Sequence, residues 1–124
     1  MHLIVGGAYQ GKYSYAKNCL EEKLEHSPSD GECSKYIVNA LHKKVREAVS
    51  SLDDATEFDV AGFVNDLGLR ADSIVVCDEV GLGVVPIERK DTVYRECVGL
   101  CLQTLAKQAD RFERVVAGIP IRIK

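Results

Sequence analysis

The chain has 124 residues, enough for one domain (residues 1–124) with a core of its own. Hydrophobic residues make up 46% and charged residues 28%, and the formal charge is −3 with no block of Lys and Arg, which argues against a nucleic-acid-binding surface. The apolar runs are too short to cross a bilayer, and no charged and apolar leader precedes His2-Leu3-Ile4-Val5, so a soluble, cytoplasmic protein with no membrane attachment is expected.

Leu3-Ile4-Val5 is a short apolar run that meets Gly6-Gly7, the pattern of a buried strand entering a tight loop. Gly6-Gly7-Ala8-Tyr9-Gln10-Gly11-Lys12 matches G-x-x-x-x-G-K, in which glycines let backbone N–H groups turn toward phosphate oxygens and the lysine neutralises the terminal phosphates. Tyr13, Ala16, Leu20 and Leu24 then recur at helical spacing, so the loop stands between a strand and a helix as the motif requires. The position after the lysine should carry a Ser or Thr hydroxyl for magnesium, but here it is Tyr13. Ser14 comes one place late, about 100° further round a helix.

Ser27-Pro28-Ser29-Asp30-Gly31 reads as a turn-rich break. Tyr36 to Asn39 reads as a short strand, followed by a helix to about Ser50 with Leu41, Val45, Ala48 and Val49 inward. Ala55 to Leu67 reads as a weaker helix stopped by Gly68. Ser73-Ile74-Val75-Val76-Cys77 is the clearest strand and ends in Asp78-Glu79, where phosphate-loop proteins place a carboxylate for the metal. Gly81 to Pro86 reads as a loop, and Glu88 to Ala109 as a long helix with Val93, Cys97, Leu100, Cys101, Thr104 and Leu105 on one stripe. Val115-Val116-Ala117 and Ile121-Arg122-Ile123 are two short strands around Gly118-Ile119-Pro120. Strands alternating with helices predict an α/β fold: a mostly parallel sheet with helices on both faces, and a short C-terminal strand pair. The five cysteines form no metal-ligand spacing and read as buried or idle thiols. His2 and His26 look incidental, and His42 reads as a surface or half-buried histidine on a helix.

Glu79-Val80-Gly81-Leu82-Gly83-Val84-Val85-Pro86 resembles a motif of the adenosylcobinamide kinase/adenosylcobinamide-phosphate guanylyltransferase family. The likeness extends through Tyr94-Arg95-Glu96, Gly99, Leu105-Ala106, Ala109-Asp110 and Val116-Ala117-Gly118-Ile119-Pro120, and at the other end through Gly6-Gly7-Ala8 and Gly11-Lys12. It implies a P-loop fold that takes ATP or GTP with Mg2+ and transfers a phosphoryl group to adenosylcobinamide, a corrinoid, with GMP transfer through a guanylylated histidine as a second step. It also implies a homo-oligomer. On this likeness Lys12 and Glu79 are the candidate catalytic residues, Glu79 the metal ligand, and Gly6, Gly7, Ala8, Tyr9, Gln10, Gly11, Lys12 and Tyr13 the nucleotide cradle. Asn39 and Arg95 are pocket candidates. The chain is shorter than the family's usual member between the first helix and the central strands, and neither His26 nor His42 stands in the basic segment that carries the family's histidine. A non-catalytic nucleotide- or corrinoid-binding relative is the alternative.

Overall fold

The computed structural model describes residues 1–80 and 88–124. Its elements run β1 (His2–Gly6), α1 (Lys12–Leu24), α2 (Asp30–Tyr36), β2 (Ile37–Val38), α3 (Leu41–Val49), a 3-10 turn (Ala55–Glu57), α4 (Val60–Asp66), β3 (Ile74–Asp78), α5 (Arg89–Gln108), β4 (Arg111–Val116) and β5 (Ile119–Arg122). The expected loop at Gly81 to Pro86 lies outside the described residues.

The strands form one sheet in the order β2-β3-β1-β4-β5, parallel except for the antiparallel β4–β5 hairpin. Parallel strands buried on both faces need near-continuous apolar runs, and Leu3, Ile4, Val5, Ile74, Val75, Val76 and Cys77 are all buried. The alternation of their side chains divides the core in two. Ile4, Ile74, Val76 and Val115 face α1 and α2 with Ala16, Leu20 and Cys33. Leu3, Val5, Val75 and Cys77 face α3, α4 and α5. The predicted α/β architecture with helices on both faces is the observed one.

Several local readings change. The turn-rich break ends in α2, started by a reciprocal cap in which the Glu32 N–H donates to Ser29 Oγ and the Ser29 N–H to the Glu32 carboxylate. The helix expected over Ala55 to Leu67 is split into the 3-10 turn and α4, because Asp59 accepts from the Gly62 N–H and starts a new helix there. On α5, Leu100 is exposed, while Tyr94 and Val98 join Val93, Cys97, Cys101 and Leu105 in the core. The first of the two C-terminal strands begins early, at Arg111, and the turn is Ala117–Gly118 rather than Gly118 to Pro120.

The early start of β4 is paid for by a polar cluster away from the phosphate loop. Glu113 is buried on the α1 side, where its carboxylate meets His2 Nε2 at 2.7 Å, the Tyr15 hydroxyl at 2.7 Å and Arg111 Nε at 2.6 Å. Burial pulls the Glu113 carboxyl up, but the bonds from Tyr15, His2 and Arg111 outweigh it and hold the group below its usual range. The cluster ties β1, α1 and β4 together.

All five cysteines are free; Cys19 is half-buried and the other four are buried. Burial pushes the Cys77 and Cys101 thiols up to about 12, so both stay protonated and inert.

Gly6 ends β1 where the sheet is tightest. A Cβ there would lie 2.5 Å from the Val115 carbonyl oxygen on β4. Gly6→Ala is therefore expected to destabilise the fold by about 1–3 kcal/mol, since backbone on a central strand cannot easily yield. Urea denaturation measures it, and an unchanged midpoint would show that β4 can move aside.

Candidate functional site

β1 and β3 are neighbours in parallel register, with Gly6 opposite Asp78, and the Glu79 N–H donates to the Gly6 carbonyl at 2.9 Å. This pairing brings the glycine-rich loop and the acid-ended strand to one edge of the sheet. The loop climbs from Gly6, passes Tyr9 in a left-handed conformation (φ 60°) with its side chain fully exposed, and enters α1 at Gly11, also left-handed (φ 88°). No side chain caps the start of α1. Its first-turn N–H groups, with the positive end of the helix dipole, are left to face the space in front of the loop.

That space is a cavity of about 380 Å³ lined by Ala8, Tyr9, Gln10, Gly11, Lys12, Tyr13 and Ser14 on one side. Asn39, Ala40, His42, Lys43, Val76 and Asp78 line the other. The predicted cradle residues from Ala8 to Tyr13 thus share one hollow, with Gly6 and Gly7 forming its stem. Asn39, a candidate at the end of β2, lies in the opposite wall. Tyr13 and Ser14 both border the cavity.

Lys12 is buried, and an ammonium that has lost its water must find anions or dipoles. Its Nζ lies 2.7 Å from Asp78 Oδ1 and donates to the Gly7 carbonyl at 2.6 Å. The carboxylate beside the lysine is therefore that of Asp78. Glu79, the expected metal ligand, pairs with Arg114 Nε of β4 at 3.0 Å and lines a different hollow, with Val80, Arg95, Val98, Gly99, Leu102 and Arg114. It also shares a third hollow, of about 390 Å³, with Ala8, His42, Arg46, Asp78, Tyr94 and Arg95 among others. Ala8, His42 and Asp78 border both this hollow and the phosphate-loop cavity, and so stand where the two meet.

His42, set aside in the sequence, is part of this junction. The Asp78 N–H donates to its Nδ1 at 3.1 Å, and its Nε2 lies 3.5 Å from Asp78 Oδ2. Because Nδ1 accepts, the ring proton of neutral His42 resides on Nε2. Burial pushes its pKa below the usual 6.5, with Lys12, Lys43 and Arg46 acting in the same direction against the pull of Asp78. At neutral pH His42 is an uncharged donor. His26, by contrast, is an exposed partner of Glu32, and His2 belongs to the Glu113 cluster. Nothing in the local pattern marks His42. It reaches the site because α3 packs on the β3 side of the sheet.

Residues 31–123 match the model of the family described as cobinamide kinase / cobinamide phosphate guanyltransferase. The chain belongs to this family. Over 51 residues it is also 41% identical to the bifunctional adenosylcobalamin biosynthesis protein CobU of Salmonella typhimurium, a stretch that spans 41% of this chain and 28% of that protein. The family match begins after the glycine-rich loop, so the loop and the family match are separate observations that the β1–β3 pairing brings together. Among the described residues, no helix is long and apolar enough to cross a membrane.

Both His42 and His2 have pKa values lowered chiefly by burial. Groups lowered in the folded chain leave the unfolded chain binding more protons, so their contribution to stability is complete above about pH 6.5 and is lost as the pH falls through the folded values. Urea midpoints are expected to be level from pH 8 to about 7 and to decline below about 6.5, with a shallower decline in His42→Gln. A midpoint that rises on mild acidification would show that these histidines are charged in the fold.

Proposed function

We propose that this chain is a nucleotide-dependent phosphotransferase that acts on adenosylcobinamide in cobalamin biosynthesis, with ATP or GTP as donor. The observation that carries the reading is the buried Lys12 ammonium at the uncapped start of α1, with Asp78 2.7 Å away and the loop from Gly6 to Gly11 folded over it. Membership of the family supplies the substrate class.

The loop and first-turn N–H groups bind the phosphate chain, and Lys12 exchanges Asp78 for the terminal phosphates. Its charge then offsets the negative charge on the transferring group. The acceptor alcohol approaches from the hollow beside Arg46, Tyr94 and Arg95 and meets the nucleotide at His42 and Asp78. Its oxygen forms the new bond to the terminal phosphorus as the bridging P–O bond breaks, the nucleoside diphosphate departs and the hydroxyl proton is released. Positioning and electrostatics supply most of the rate in such a transfer.

Magnesium fits the donor set. Asp78 and Glu79 offer hard carboxylate oxygens at the end of β3, and among the described residues no cluster of three or more ligating side chains would enclose a metal alone. That suits an ion held by one or two carboxylates with phosphates and water completing its shell. When bound, it would neutralise phosphate charge. Asp78 is the nearer carboxylate to Lys12, and Glu79 joins it once free of Arg114.

A thermal shift with GTP and with ATP, each with and without magnesium, tests the site. A ligand at a hundred times its Kd stabilises by about 2.7 kcal/mol, and the shift is expected to need magnesium. Lys12→Ala should abolish it and reduce phosphoryl transfer by about a hundredfold or more. Full activity in that variant would remove the loop from the mechanism. Binding without any transfer would instead favour the non-catalytic relative, the reading that Tyr13 in the hydroxyl position supports.

Self-association completes the proposal. Ile119, Ile121 and Ile123 are 65%, 50% and 56% exposed, and alternation along β5 puts Ile119 and Ile121 on one side of the sheet, with Ile123 next in the same alternation just past the strand's end. Because the Ile123 N–H donates inward to Phe112, the outward edge positions fall to Pro120 and Arg122. Proline there blunts strand-to-strand pairing, which leaves the apolar face as the surface for a second copy. Sedimentation should find an oligomer that Ile121→Asp shifts toward monomer, and a monomeric wild type would remove this element.

A further inference from the structure

The phosphate loop is not held by its own strand and helix alone. At Gln10 it reaches across to the turn of the β4–β5 hairpin. The Ala117 N–H donates to Gln10 Oε1 at 2.6 Å, and the Gly118 N–H donates to the Gln10 carbonyl at 2.8 Å. Gln10 Nε2 turns back to the Ala8 carbonyl at 3.4 Å, within the loop. Gly11 closes the contact, since a Cβ there would lie 3.6 Å from the Gly118 Cα.

The turn is a rigid anchor. Ala117 (φ 49°) and Gly118 (φ 77°) are both left-handed, as the two-residue turn of a tight hairpin requires. The directions of their N–H groups are therefore fixed by the pairing of Val116 with Ile119. The loop, by contrast, contains a left-handed Tyr9 whose exposed side chain makes no compensating contact, and a left-handed Gly11. Such a segment keeps its shape only when its surroundings determine it. Neither Ala117 nor Gly118 borders the cavity, and the Gln10 side-chain oxygen is directed to the hairpin.

We infer that Gln10 is a positioning residue for the nucleotide: it latches the phosphate loop to the β4–β5 turn, so that the hairpin presets the loop N–H groups for a triphosphate. The inference rests on the nucleotide-binding reading above. A loop that is already ordered loses less entropy when phosphate arrives, and the difference appears as affinity. The coupling is reciprocal. A triphosphate that stiffens the loop must also protect the Ala117 and Gly118 amides, which it does not touch.

Two variants separate the latch from other uses of the side chain. Gln10→Met keeps length and removes the acceptor, whereas Gln10→Glu keeps the acceptor and adds a charge. Affinity for GTP and for inorganic tripolyphosphate is measured by calorimetry, and amide exchange at Ala117 and Gly118 by NMR. Gln10→Met is expected to bind both probes about three- to tenfold more weakly, the worth of one such hydrogen bond. Its Ala117 amide should exchange faster, with the ligand-free unfolding midpoint barely moved. Gln10→Glu should retain Ala117 protection and lose affinity only through repulsion, a loss that shrinks as salt is raised. Wild-type affinity in Gln10→Met, or an Ala117 amide that exchanges equally in both, would overturn the latch while leaving the nucleotide reading intact. A wild-type protein that binds neither probe would overturn that reading and the latch with it.

Discussion

The site turns on one buried charge. Lys12 enters α1 beneath the phosphate loop, and its ammonium, shielded from water, is met by Asp78 Oδ1 and the Gly7 carbonyl. A buried ammonium left without an anion is costly, so Lys12 and Asp78 must be positioned together. The means is backbone pairing: Gly6 and Asp78 are opposite each other in the β1–β3 ladder. That register also explains why glycine is needed at position 6, where β4 leaves no room for a side chain. The sheet order, the loop path and the charge balance are thus one constraint seen at three scales.

The same pair makes the site self-neutralised. On the proposed reading a triphosphate would engage the lysine that Asp78 holds, so binding would exchange one anion for another. This leaves the buried Lys12 ammonium compensated within the fold. The same exchange would leave the Asp78 carboxylate available as an oxygen donor to a divalent ion. Glu79 stands apart from this pair, held by Arg114.

How much of this could be read from the chain follows from the range of the forces involved. β1, β3 and α5 were legible because unbroken apolar runs and a helical stripe are local signals. The glycine-rich link between β1 and α1 was legible because its glycines and lysine fall within one short stretch, Gly6 to Lys12. The capping box of α2 is local too, but Ser29 and Asp30 beside Pro28 and Gly31 look equally like a turn. The first half of β4 was hidden because Glu113 breaks the apolar pattern, and its burial is tolerated only through His2, Tyr15 and Arg111, two of which are distant in sequence. The choice between Asp78 and Glu79 was not available at all. Adjacent residues at a strand end diverge, and register decides which meets Lys12 and which meets Arg114. His42 was invisible for the same reason, since its role comes from the packing of α3 against β3.

His42 also separates the two reactions that the family description joins. A histidine that carries a nucleotidyl group must attack with a ring nitrogen whose lone pair is free. Here Nδ1 spends its lone pair on the Asp78 N–H, and Nε2 therefore bears the proton. Attack by Nε2 would require the proton to move to Nδ1, which would turn two donors, Nδ1–H and the Asp78 N–H, toward each other. Attack by Nδ1 would require breaking the bond that orients the ring. The proposed phosphoryl transfer would make no such demand on the ring, which borders the cavity as an uncharged Nε2–H donor. Guanylyl transfer through His42 would therefore first need α3 and the end of β3 to part, whereas the proposed phosphoryl transfer would not.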